Sequence, residues 1–161
     1  MPNNLSENCC TCDLRDLDVC TKVPGIATGI INAVSTRQIL QSWRELIFTT
    51  NRIIKGSAIS HIAPSSDFII FLEGTYQIIF TSNISHTSSD ESTILSTAIA
   101  INNGIILSTN VRNNVKPNEI KSIATQTIIN VPQDVLINIK IINTSSVETI
   151  YTNPNITITK L

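Results

Sequence analysis

Four stretches of this chain alternate in polarity with a period of two, and that constrains the fold more than any other feature. In Thr75 to Ile84, Tyr76, Ile78 and Phe80 fall on one side. In Thr93 to Ile101, Leu95, Thr97, Ile99 and Ile101 oppose Ser96, Ala98 and Ala100. In Ile120 to Val131, Ile123, Thr125, Thr127 and Ile129 align, and in Val135 to Ile142 so do Val135, Ile137, Ile139 and Ile141. A period of two puts one set of side chains on one face of a strand, whereas a helix would scatter them. Turn formers close these runs. Asn102-Asn103-Gly104 accepts positive φ and predicts a hairpin. Glu73-Gly74, Pro132-Gln133-Asp134, Asn143 to Ser146 and Asn153-Pro154 supply further turns.

Shorter segments complete the pattern. Ser57 to Ala63, Ile105 to Thr109, Val147 to Thr152 and Asn155 to Leu161 read as strands. Asp67 to Leu72 is apolar throughout, which predicts a strand buried on both faces. Residues 85–92 and 113–119 read as polar loops. Residues 35–49 are ambiguous. Ser35 and Gln38 fit a capping box, and Ile39, Leu40, Trp43, Leu46 and Ile47 recur at helical spacing. The neighbouring pattern favours a strand from Trp43 to Thr50 instead. Eight to ten short, evenly spaced strands without a long helix predict an all-β sandwich or barrel.

Charged residues make up only 14% of the 161, against about 25% in typical globular chains. So low a fraction fits a surface partly covered by copies of the same chain. The 11 basic and 12 acidic residues form no basic patch, which argues against nucleic-acid binding. No apolar run approaches the roughly 18–20 residues needed to cross a membrane. Met1 to Cys10 lacks the basic start and apolar stretch of a secretion signal.

Nothing points to catalysis or a cofactor. There is no Gly-x-Ser-x-Gly elbow and no glycine-rich phosphate loop. His61 and His86 are the only histidines. His86 lies in a polar loop and is expected to face solvent; His61, at strand spacing, is expected to be packed or to face another subunit. Ser96, Ala98, Ala100 and Thr125 are small enough to line an axis where copies meet. Asn4, Asn83, Asn143 and Asn155 fit the glycosylation sequon, which chance explains in a chain this rich in Asn, Ser and Thr.

All four cysteines, Cys9, Cys10, Cys12 and Cys20, lie in the first 20 residues. Val23-Pro24-Gly25 marks the end of that region. Residues 1–23 therefore read as a connector tail, 24–42 as a linker or first edge segment, and 43–161 as the main domain. Adjacent cysteines seldom pair with each other, because the ring they close is strained. They can face two different partners, so the four are candidates for cross-links between molecules. A four-thiolate zinc site is a second reading, although Cys-Cys-x-Cys matches the usual spacing poorly. Reduced thiols without a role are the third. Leu14, Leu17 and Val19 sit among Asp13, Arg15, Asp16 and Asp18. A peptide of that kind can dock by adding a strand to a neighbour's sheet or by filling a groove.

Several motifs, in order, resemble the C1q/TNF-like jelly rolls, particularly their bacterial members. Gly74-Thr75-Tyr76-Gln77-Ile78-Ile79-Phe80 looks like the family's Gly-x-Tyr-x-x-x-Phe strand. Ala100 to Gly104 looks like its central hairpin, Lys121 to Thr125 like the strand that follows, and Asn153 to Leu161 like its closing strand. The match spans roughly residues 43 to 161; aromatics are fewer than in animal members, and no collagen-like stretch precedes it. The resemblance implies a ten-strand jelly roll that forms a homotrimer. Among bacterial relatives the chain is similar to exosporium proteins of spore-forming bacilli, including subunits or anchors of fibrous endospore appendages. That implies a non-catalytic structural protein on the spore surface, whose tail joins it to other trimers or to a Cys-rich spore surface protein. It also implies where disulfides would form, since spore-coat proteins meet oxidant when the mother cell lyses. Two alternatives remain open: a C1q-like head that binds a glycan or protein, and a phage tail-fibre or capsid jelly roll.

Overall fold

The computed structural model describes residues 28–87 and 91–161. They form two six-stranded antiparallel sheets packed face to face, a sandwich as the alternation predicts, in the jelly-roll form that the resemblance implies. The twelve strands, in chain order, are β1 (Gly29–Val34), β2 (Gln38–Leu40), β3 (Thr50–Gly56), β4 (Ile59–Ser60), β5 (Phe68–Ile70), β6 (Gly74–Ser85), β7 (Thr93–Ile101), β8 (Gly104–Ile105), β9 (Val111–Val115), β10 (Lys121–Val131), β11 (Ile137–Asn143) and β12 (Thr149–Lys160). One sheet runs β10-β6-β12-β1-β3, with β2 also on β12; the other runs β4-β5-β11-β7-β8, with β9 also on β7.

The core forms where inward-facing alternates meet. Tyr76, Ile78 and Phe80 of β6 are fully buried, as are Ile139 and Ile141 of β11 and Leu95 and Ile99 of β7. Phe48 anchors the aromatic part, edge-on to Phe68 at 5.3 Å and to Phe80 at 6.5 Å. Asn102 and Asn103 take φ of 47° and 68° at the β7–β8 hairpin, the left-handed pair that a tight turn requires.

A buried polar network ties the two sheets together. The Tyr151 hydroxyl of β12 lies 2.7 Å from Thr97 Oγ1 and donates to Asn143 Oδ1 at 3.2 Å. Asn143 Nδ2 in turn donates to the carbonyls of Leu40 and Gln41, each at 3.0 Å. Buried polar atoms are tolerated because they are bonded to one another. Burial pushes the Tyr151 phenol pKa well above its ordinary value.

Several local expectations differ from what is observed. The described residues hold twelve strands rather than eight to ten. Leu107–Thr109, read as part of a strand, is a 3-10 turn, and residues 113–115, read as loop, belong to β9. The segment read as a linker or edge, 24–42, contains β1, which is interior: it pairs with β12 on one side and β3 on the other. Its partners come from residues 50–56 and 155–159, so local sequence could not show this. Residues 35–49 form neither a helix nor a strand from Trp43. Trp43 has φ of 62°, which breaks both; the segment keeps only β2 and two isolated bridges, at Glu45 and Phe48. Asp67 to Leu72 is not buried on both faces, since Phe71 is exposed. Asn153-Pro154 is no turn between two strands. It is an irregularity within one strand, where the register on β6 shifts between Thr152 and Asn155.

Candidate interaction face

The two sheets present very different outer faces. In the first sheet, the strands β1, β6, β10 and β12 contain only two charged residues, Lys121 and Lys160, each at a strand end. Neither belongs to the outward set. Lys121 lies opposite Ile84 and Lys160 opposite Tyr76, both core residues. Register places Gln126, Ile79, Thr157 and Asn32 in one row across the four strands. The next row holds Ile128, Gln77, Thr159 and Ile30. Charge appears only on the edge strand β3, at Arg52 and Lys55.

Many polar side chains on this face bond sideways to one another. Asn32 Nδ2 donates to Asn155 Oδ1 at 2.7 Å and to Thr157 Oγ1 at 2.8 Å. Thr75 Oγ1 donates to Asn130 Oδ1 at 2.7 Å, and Ser122 Oγ to Asn83 Oδ1 at 2.8 Å. A polar group already paired loses little when water is removed above it, whereas a charge loses several kcal/mol (order of magnitude). The face is therefore inexpensive to cover.

The second sheet keeps charges on its outer side. Lys140 Nζ lies 2.9 Å from Glu45 Oε1 and 3.4 Å from Asp67 Oδ1. The Asn138 amide, which donates to Asp67 at 2.6 Å, and then Lys140 hold the Asp67 carboxyl below its usual pKa. The bond to Glu45 raises Lys140.

The residues singled out in the sequence fare unevenly. Cys9, Cys10, Cys12 and Cys20, and the docking candidates Leu14, Leu17 and Val19, lie outside the described residues. The disulfide expectation is corrected to this extent: the described residues hold no cysteine, so no disulfide belongs to the sandwich. Thr125 cannot line an axis between copies, because it points into the sandwich and donates to the carbonyl of Thr109 at 2.8 Å. Ser96, Ala98 and Ala100 do face outward but are buried within their own chain, with Ser96 Oγ accepting from Thr144. His86 does not face solvent. It is 5% exposed, with Nε2 3.0 Å from the Val115 carbonyl. His61 is packed as expected, stacked on Phe68 at 4.1 Å. Its Nδ1 lies 2.6 Å from Asn51 Oδ1 and its Nε2 3.1 Å from the Ser65 carbonyl. Burial outweighs the bond to the Ser65 carbonyl and the nearby Asp67 charge, so the His61 pKa lies below its ordinary value. Among the described residues no group of three or more His, Cys, Asp or Glu could hold a metal ion, and no helix is long and apolar enough to cross a membrane.

The uncharged face itself was missed in the sequence. Its signal was present in Ser122, Ala124, Gln126, Ile128 and Asn130, the outward alternates of one strand without a charge among them.

No protein-family model and no curated protein sequence matches the chain. Solved structures do. The globular domain of zebrafish complement 1qA protein superposes with a TM-score of 0.59 at 7% identity, covering 83% of this chain and 97% of that one. Eiger TNF from S. frugiperda gives 0.59 at 9% identity, covering 84% and 93%. The PRD1 vertex protein P5 gives 0.50 at 14% identity, covering 85% and 99%. The fold is thus that of the C1q/TNF-like jelly rolls. At these identities the likeness shows the fold alone, and none of the three is an exosporium or spore protein.

Proposed function

We propose that this chain is a non-catalytic structural subunit that associates as a homotrimer through the outer face of the first sheet. Residues 1–23 then dock each trimer to a neighbour or to a spore surface layer, as a unit or anchor of a fibrous appendage. The observation that carries the reading is the charge-free, laterally bonded outer face of β1, β6, β10 and β12. A face left in water has no reason to exclude charge, whereas one covered by another copy must. The three-fold order and the spore surface rest on the resemblance to bacterial C1q/TNF-like proteins. Electron microscopy of the purified full-length chain, beside a chain lacking residues 1–20, tests the division of labour. Strings or fibres from the full-length chain alone are expected, with isolated particles from the shortened one. Isolated particles in both samples would contradict a docking role for the tail.

A further inference from the structure

Strand β3 is the end of its sheet: it pairs with β1 on one side, and no described strand pairs with its other edge. It is also bare on both faces. Ile54 lies opposite Ile31 on the core side yet is 52% exposed, and Ile53, opposite Asn32 on the outer side, is 41% exposed. A seven-residue edge strand without proline, with unpaired backbone groups and two adjacent isoleucines in water, is a template for another strand. Its charges are Arg52 and Lys55, both positive.

One segment of the chain matches that template. Residues 13–19, Asp-Leu-Arg-Asp-Leu-Asp-Val, have the same length as β3. Leu14, Leu17 and Val19 can cover Ile53 and Ile54, while Asp13, Asp16 and Asp18 outnumber Arg15 and complement Arg52 and Lys55. We propose that the free edge of β3 receives residues 13–19 of a neighbouring copy as an added strand. This rests on the docking role given to the tail above and names its receiving site. The chain enters the fold on the far side of β3 from that edge, since Gly29 pairs with Gly56 through β1. Its own tail would have to wrap round the end of the strand. The stretch from Val19 to Thr28 spans at most about 30 Å, so the acceptor copy must be an immediate neighbour. Strand addition supplies affinity through main-chain hydrogen bonds and specificity through alternate side chains.

Photo-cross-linking tests this in the full-length chain. Leu17 is replaced by benzoylphenylalanine, the protein is mixed with ¹⁵N-labelled wild-type chain before assembly, and the cross-linked peptides are mapped by mass spectrometry. The expected product joins position 17 of the light chain to residues 50–56 of a heavy chain. The double substitution Arg52→Glu with Lys55→Glu should reduce it about tenfold, and Asp16→Lys with Asp18→Lys should restore it. A cross-link to another part of a heavy chain would overturn the β3 assignment while leaving the docking role intact. A cross-link to β3 of the light chain's own molecule would overturn the neighbour as donor. Absence of any cross-link between chains would remove the docking role and this inference with it.

Discussion

The two sheets have the same number of strands and share one core, yet their outer faces obey different rules. On the β4-β5-β11-β7-β8 side, Lys140 sits between Glu45 and Asp67. On the β10-β6-β12-β1 side, Thr, Asn, Gln and Ile stand in rows and no charge interrupts them. The core needs only the inward alternates, so core packing does not explain the difference. Solvent does. A charged cluster keeps its hydration, while rows of paired amides and hydroxyls can give theirs up.

Placing a charge on each face is the strongest way to break this comparison. Gln126→Arg in the first sheet, at an exposed position, should abolish the threefold unit, leaving chains joined only through their tails, with an unchanged circular dichroism spectrum. Ile94→Arg, at a 59% exposed position on the second sheet, should leave the assembly intact. Equal effects from both would dissolve the distinction.

The polar network between the sheets is the next test. Asn143→Ala removes the partner of the Ser145 N–H and one bond each from the Leu40 and Gln41 carbonyls and the Tyr151 hydroxyl, which keeps Thr97. It should cost about 3 kcal/mol in urea unfolding. A loss below about 1 kcal/mol would mean that water replaces the amide there.

Acid should act through the second sheet. The folded pKa of His61 lies below its ordinary 6.5, so the unfolded chain binds more protons and stability falls as pH drops below that value. Asp67, also lowered when folded, contributes stability that is present above its unfolded pKa and is lost as pH falls through the folded one. Thermal melts from pH 7 to 3 should show a falling midpoint, and Asp67→Asn should flatten the more acidic part of the fall. A midpoint that rises with acid would reverse the sign assigned to both groups.

The smallest effect is expected from Lys140→Ala. Its pairs are partly exposed, so the loss should stay below about 1 kcal/mol and shrink with added salt.

Much of the sandwich was legible because strand faces are written locally. Tyr76, Ile78 and Phe80, or Ile123 and Thr125, point inward as alternation demands. What alternation cannot state is who lies alongside. The interior position of β1 depends on Ile31 meeting Ile158 across most of the chain. The burial of His86 depends on the Val115 carbonyl, 29 residues away. The bulge in β12 was hidden because Asn-Pro reads equally well as a turn, and only register on β6 tells them apart. The uncharged face shares this property. Each strand shows an unremarkable polar set, and the absence of charge becomes meaningful only when four strands lie side by side.

The central claim is that the first sheet's outer face is covered by other copies. Sedimentation equilibrium of the full-length chain tests it most directly. Three times the 17.6 kDa chain mass, or multiples of that unit, is expected, with no threefold unit for Gln126→Arg. A single-chain mass for the unaltered protein, or a trimer that Gln126→Arg leaves untouched, would contradict it.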